Sequence, residues 1–195
     1  VAHALRMMGD GARVEIDSAD GRIVVPADAD DLARVLEAEP EATIVSGATD
    51  AGLWVTKFMR DVSPVVFTGH MDGLKTVHTH GNMLSIGAGV SYTRARGVFA
   101  AHIPQLGDLI ERIGGEQIRN MGTIGGNIAN GSPIGDMPPP LIALGATVTL
   151  RKHHNRRSIP LEDFFIDYGR QDRAPGEFVE SVSVPLPPRD AQFAV

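Results

Sequence analysis

Apolar and polar positions follow two periods along this chain, and each change of period marks an element. Arg22-Ile23-Val24-Val25 is a short apolar run closed by Pro26, which predicts a strand. Asp28 then stands as a candidate helix N-cap. Asp31 lies three residues on, and Leu32, Val35 and Leu36 share one helical face. Glu39-Pro40 ends that helix, because proline brings no amide and restricts the residue before it. Ala42-Thr43-Ile44-Val45-Ser46 reads as a second strand and Val65-Val66-Phe67 as a third. Leu53 to Met59 between them is apolar enough to predict a helix against a sheet. Residues 21–73 are therefore expected to form a small layered α/β lobe, with residues 1–20 as an arm or linker before it.

The pattern changes after Gly73. Thr76 to His80 and Met83 to Ala88 flank Gly81-Asn82, a hairpin signal. Ser91 is placed to cap a helix running to about Ala101. Pro104 to Ile113 predicts another, with Leu106, Leu109, Ile110 and Ile113 on one side. Residues 114–136 read as a long glycine-rich stretch. Pro138 to Leu144 predicts a short helix opened by prolines, Ala146 to Leu150 a strand, His153-His154-Asn155 a polar turn, and Phe178 to Pro185 a last strand. Residues 74–195 are thus expected to be an α+β lobe.

Composition narrows the function classes. The chain has 195 residues, 43% hydrophobic and 22% charged, which fits a folded protein. Its 18 basic and 24 acidic residues give a net charge of -6, so no nucleic acid partner is expected. No apolar run approaches the roughly 18–20 residues that span a bilayer, so no membrane partner is expected either. The absence of cysteine excludes a disulfide, a cysteine nucleophile, a thiolate zinc site and an iron–sulfur cluster held by this chain. A reducing cytoplasm fits such a chain. Val1-Ala2-His3 has neither an initiator Met nor a signal-peptide pattern and reads as the start of a fragment or processed chain.

Two segments depart from ordinary turn chemistry. One is Ser46-Gly47-Ala48-Thr49-Asp50-Ala51-Gly52, between a predicted strand and a predicted helix. The other runs from Gly122-Thr123-Ile124-Gly125-Gly126-Asn127 through Asn130 to Asp136. Small residues let a backbone approach a ligand, and successive N–H groups at a turn into a helix form an anion nest. Thr49, Thr123, Asn127 and Asn130 add side-chain donors; Asp50 and Asp136 can accept from sugar hydroxyls. Either loop alone is also what a plain turn looks like. Neither has a Walker lysine or a Rossmann Gly-x-Gly-x-x-Gly, so the residues themselves lead to a phosphate-containing ligand and no further. His78 with His80, and His153 with His154, read as exposed histidines rather than metal ligands. Trp54 reads as core, or as a brace for a ring. Arg151, Lys152, Arg156 and Arg157 form a basic patch suited to solvent or a subunit contact. No Gly-x-Ser-x-Gly elbow is present, and no catalytic or metal residue is nominated.

The run from Gly114 to Leu150, with its Thr-Ile-Gly-Gly-Asn-Ile-Ala-Asn-x-Ser-Pro-x-x-Asp core, closely resembles the flavin-binding domain of xanthine dehydrogenase. It looks most like the small subunit of the bacterial two-subunit form; medium subunits of carbon monoxide dehydrogenase share the pattern more loosely. Val45 to Gly52 resembles that family's first flavin loop, and Pro175 to Val182 a later strand. The resemblance implies an α+β, two-lobed FAD-binding fold of the vanillyl-alcohol oxidase and molybdenum hydroxylase flavoprotein type, lacking the C-terminal third subdomain. Ser46, Gly47, Ala48, Thr49, Asp50 and Ala51 would then wrap the cofactor's diphosphate from the first lobe. Thr123, Gly125, Gly126, Asn127 and Asn130 would face it from the second. Asp136 would hydrogen-bond the cofactor, Val179 would lie against the isoalloxazine, and Ile113 would give apolar packing where relatives stack an aromatic ring.

The same resemblance implies an electron relay from iron–sulfur clusters through FAD to NAD+ during purine hydroxylation. The clusters and the molybdenum cofactor would belong to other domains or chains. Gln192-Phe193-Ala194-Val195 looks like the start of the third subdomain, and a fragment ending there is expected to hold FAD poorly and to be inactive alone. A flavin reductase of the cell-wall sugar-nucleotide type and a non-enzymatic interaction domain are the alternatives.

Overall fold

The structure, a computed structural model, describes residues 11–188. The first half of the predicted arm and the strand start at Gln192–Val195 lie outside the described residues. Two sheets organise the rest. The first has strand order β1-β2-β4-β3, from β1 (Val14–Ser18), β2 (Gly21–Val25), β3 (Thr43–Val45) and β4 (Val65–Phe67). β1 and β2 are antiparallel, whereas β2, β4 and β3 run parallel. β1 corrects the reading of residues 14–18 as linker. Its Val14 and Ile16 stay exposed, so the strand carries little burial signal; it is held by pairing to β2 and by Arg13 and Arg22 bridging Glu15.

Helix α1 (Ala29–Ala38) covers this sheet. Asp28 caps it as expected, accepting from the Asp31 N–H at 2.8 Å. Leu32, Val35 and Leu36 pack with Val24 and Val66 into the first core. The short helix α2 (Ala51–Thr56) departs from the prediction. It buries no residue, and Leu53 and Val55 are exposed rather than laid on the sheet.

The second sheet, β5-β6-β11-β7-β8, is antiparallel throughout. Its strands are β5 (Val77–His80), β6 (Met83–Gly87), β7 (Thr147–Lys152), β8 (Asn155–Pro160) and β11 (Phe178–Pro185), with β9 (Phe165–Asp167) and β10 (Arg170–Gln171) as a separate ribbon. The Gly81-Asn82 hairpin forms, with Gly81 at a φ of 59°. Helices α3 (Tyr92–His102) and α4 (Pro104–Glu111) bury Phe99, Leu106 and Ile110 with Ile86, Val148 and Val182 of the sheet. The glycine-rich stretch read as loop contains two helices, α5 (Glu116–Met121) and α6 (Ile124–Asn130). Two further short helices follow, α7 (Pro138–Ala143) and α8 (Leu161–Phe164).

Contacts from the second sheet and its helices clasp the first core. Phe178, at the start of β11, is buried in the core of the first lobe. The Gly89 N–H donates to the Leu74 carbonyl at 2.7 Å. Arg151 of β7 is buried and reaches Asp30 of α1, Glu180 of β11 and the His153 carbonyl. The predicted basic patch is thus no cationic face. Arg156 pairs with Glu180, Arg157 with Glu177 and Asp172, and Lys152 donates to the Pro175 carbonyl.

Candidate functional site

β3 is the edge strand of a parallel set, and the chain leaves its carboxyl end through Ser46–Asp50 into α2. Loops at such ends are where ligands settle in open sheets. Ala48 adopts a left-handed φ of 58°. For a residue with a side chain this costs about 1–2 kcal/mol, and strain of this kind gathers at ligand clamps. Among the described residues, the N–H groups of Gly47, Ala48, Thr49 and Asp50 have no protein acceptor. The first glycine loop therefore presents uncommitted donors, as an anion nest requires.

The second loop works differently. Thr123 caps α6, its Oγ1 accepting from the Gly126 N–H at 3.0 Å. The Ile124 N–H donates to the Val90 carbonyl and the Gly125 N–H to the Ala88 carbonyl, at 3.0 and 2.9 Å. These amides are committed internally, which corrects the expectation of a second nest. The glycine at 125 serves packing: a Cβ there would stand 2.3 Å from Ala88 Cβ. What this wall offers is side chains. Asn127 accepts from the Met137 N–H through Oδ1 at 3.2 Å, which leaves its Nδ2 donor uncommitted. Asn130 reaches across the gap, its Nδ2 donating to Asp50 Oδ2 at 3.1 Å.

Between the loops lies a cleft of about 600 Å³ that is lined by every residue nominated from the sequence. Ser46 through Ala51 form one wall; Thr123, Gly125, Gly126, Asn127 and Asn130 form the other. Asp136 is exposed on the loop after α6, and Ile113 and Val179 make a buried apolar end. A β-bulge in β11 aims Val179. The register with β7 shifts between Val179 and Ser181, so Val179 faces the cleft while the Glu180 carboxylate turns to Arg151 and Arg156.

Sequence reading missed Tyr92, Phe178 and Arg173, which also line the cleft. Tyr92, the first residue of α3, is 4% exposed, and burial followed by the charges of Asp136 and Asp50 pushes its phenol well above the ordinary range. Nothing marks it in sequence, because α3 is only weakly amphipathic and does not announce which side faces a ligand. Arg173 is exposed and makes no ion pair among the described residues. Trp54 is half-buried at the cleft rather than in a core. His78 and His80 are exposed, and among the described residues no cluster of three or more His, Asp or Glu is placed to hold a metal. No described helix is long and apolar enough to cross a membrane.

A family model described as the FAD binding domain in molybdopterin dehydrogenase matches residues 11–187. The chain belongs to that family. The medium chain of glyceraldehyde dehydrogenase from Sulfolobus acidocaldarius is 36% identical over 132 residues, covering 66% of this chain and 47% of that protein. Xanthine dehydrogenase of Dictyostelium discoideum is 30% identical over 186 residues, covering 82% of this chain and 13% of that one. Among solved structures, quinoline 2-oxidoreductase from Pseudomonas putida 86 superposes with a TM-score of 0.79 at 26% identity, covering 84% of this chain and 58% of that one. The chain thus spans about half the length of the medium chain it matches.

The residues present fit FAD. The cleft is of the size that holds a cofactor. Its first loop has free N–H groups for a diphosphate, its middle has Asn127 Nδ2, and its far end is apolar and suited to a ring system.

Proposed function

We propose that this chain holds FAD extended across the cleft as the flavoprotein part of a molybdenum hydroxylase, relaying electrons that arrive from iron–sulfur clusters on to NAD+. The observation that carries the reading is the row of uncommitted N–H groups at Gly47–Asp50 facing Asn127 across one cleft, in a chain of this family. Bound FAD supplies the exchange between one-electron and two-electron carriers. The chain supplies position. Gly47, Ala48, Thr49 and Asp50 donate to the diphosphate oxygens, and Asn127 adds Nδ2. Ser46, Ala51, Thr123, Gly125 and Gly126 shape the walls close to it. Asn130 holds the Asp50 carboxylate in place, and Asp136 accepts from a hydroxyl of the cofactor. Ile113 and Val179 keep water from one face of the ring. No side chain of this chain needs to move a proton.

The iron–sulfur domain and the molybdenum-binding subunit are proposed as partners in a cytoplasmic complex that hydroxylates a purine. Likeness to xanthine dehydrogenases supports the purine, whereas the match to a glyceraldehyde dehydrogenase medium chain supports an aldehyde as the second reading. Both readings need FAD, and family membership favours them over a sugar-nucleotide reductase or a domain without cofactor. The test is to purify the full-length protein with its partners. FAD in stoichiometric amount, bleached by NADH and by xanthine, is expected. A colourless protein whose melting temperature does not respond to FAD would overturn the reading; bleaching by glyceraldehyde but not xanthine would select the aldehyde.

A further inference from the structure

We propose that the Tyr92 hydroxyl is a hydrogen-bond donor to the diphosphate of the cofactor. The inference rests on the FAD reading above and adds a residue to it. Tyr92 sits where the two loops meet. Its ring lies beneath Gly122, where a Cβ would come within 3.1 Å of ring carbons Cδ2 and Cε2. Gly122 in turn adjoins Gly47, whose own Cβ would strike the Met121 carbonyl and crowd the Gly122 nitrogen. The phenol is therefore held by packing directly behind the first loop's contact with the second lobe.

The hydroxyl has no protein partner among the described residues, yet it is not among the sealed, unsatisfied polar atoms. A buried ring with an unpartnered hydroxyl on the wall of a cleft is a donor waiting for an acceptor from outside the chain. Asp50 and Asp136 act on it through charge, but neither is within hydrogen-bond reach. A diphosphate carries negative charge into a cleft that already holds these two carboxylates, so every neutral donor counts. A phenol kept protonated by burial and by neighbouring anions is a permanent donor, and O–H donation to an anionic oxygen is among the stronger hydrogen bonds.

Tyr92→Phe in the full-length chain tests this, because phenylalanine fills the same space. The expected result has three parts. The melting temperature without FAD is unchanged, since no internal hydrogen bond is lost. The FAD dissociation constant rises about tenfold or more, equivalent to about 1.4 kcal/mol. The dissociation constant for riboflavin, which has no diphosphate, stays the same. The 31P resonances of bound FAD should also shift between wild type and variant. Unchanged FAD affinity with unshifted 31P resonances overturns the inference alone. Equal weakening of FAD and riboflavin, or a fall in the melting temperature without FAD that matches the affinity loss, overturns the diphosphate assignment in favour of a ring contact or a packing role. A wild-type chain that takes up no FAD overturns the underlying reading.

Discussion

Gly47→Ala is the sharpest probe of how the lobes build the cleft. A Cβ at this position would stand 1.7 Å from the Met121 carbonyl oxygen and 2.5 Å from its carbon, with the Gly122 nitrogen at 3.1 Å. The obstacle is backbone at the end of α5, so no side-chain rotation relieves it. Clearing the clash takes a displacement of more than an ångström, by the first loop or by α5. Overpacking of this kind costs about 1–3 kcal/mol, and a rigid backbone obstacle puts it near the upper end. For a chain of this size, about 3 kcal/mol corresponds to a fall of roughly 6–12 °C in melting temperature. The same displacement pulls the Gly47–Asp50 amides out of register with Asn127, so FAD affinity should drop by at least about tenfold, or 1.4 kcal/mol. Differential scanning fluorimetry and fluorescence titration with FAD read the two effects. Gly52→Ala is the control: no atom lies within 4 Å of its Cβ, and it sits in α2, so it should be neutral or slightly stabilising. A Gly47→Ala variant with unchanged melting temperature and unchanged FAD affinity would refute the reasoning.

Two further outcomes are expected. Arg151→Ala removes a guanidinium whose side chain is 4% exposed and that ties β7 to β11 and α1; because Asp30 is exposed and Glu180 keeps Arg156, no buried charge is left unpaired, so urea denaturation should show a loss of about 1–3 kcal/mol from the buried stem and its hydrogen bonds, and a loss below about 0.5 kcal/mol would contradict the clasp. Acid should destabilise the protein through carboxylates held below their usual range: Asp31 by Arg13, with help from the Ala27 N–H and Arg34, and Glu177 by Arg157, with help from the Ala174 N–H. Their folded pKa values are depressed, so their contribution is complete above about pH 5 and is lost as pH falls through and below about 4. Asp31→Asn should lower the urea midpoint at pH 7 and flatten its decline between pH 5 and 3; an identical slope in both proteins would remove Asp31 from the account.

What could be read from the chain alone was local. The caps at Asp28 and Ser91, the Gly81-Asn82 turn and the alternation in β11 are effects of a few neighbouring residues, and each forms where the pattern put it. The glycine loops were visible for the same reason. α5 and α6 carry little signal in the sequence because helices of six and seven residues have little periodicity, and because α6 contains adjacent glycines, accommodated by the Thr123 cap and the fit of Gly125 on Ala88. β1 escaped because pairing rather than burial makes it a strand.

Tertiary structure decided everything that depends on partners far along the chain. The arginines that look like a basic patch are neutralised by carboxylates 15 to 121 residues away, so local charge counting misjudged them. The two loops look equivalent in sequence, yet one keeps its amides free and the other spends them on Val90 and Ala88, across the core. Tyr92 is silent as a letter and becomes a cleft wall only when α3 packs beneath Gly122. Propensity and capping act within a few residues and are written in the sequence; hydrogen-bond satisfaction and close packing are properties of surfaces brought together, and only the fold brings them together.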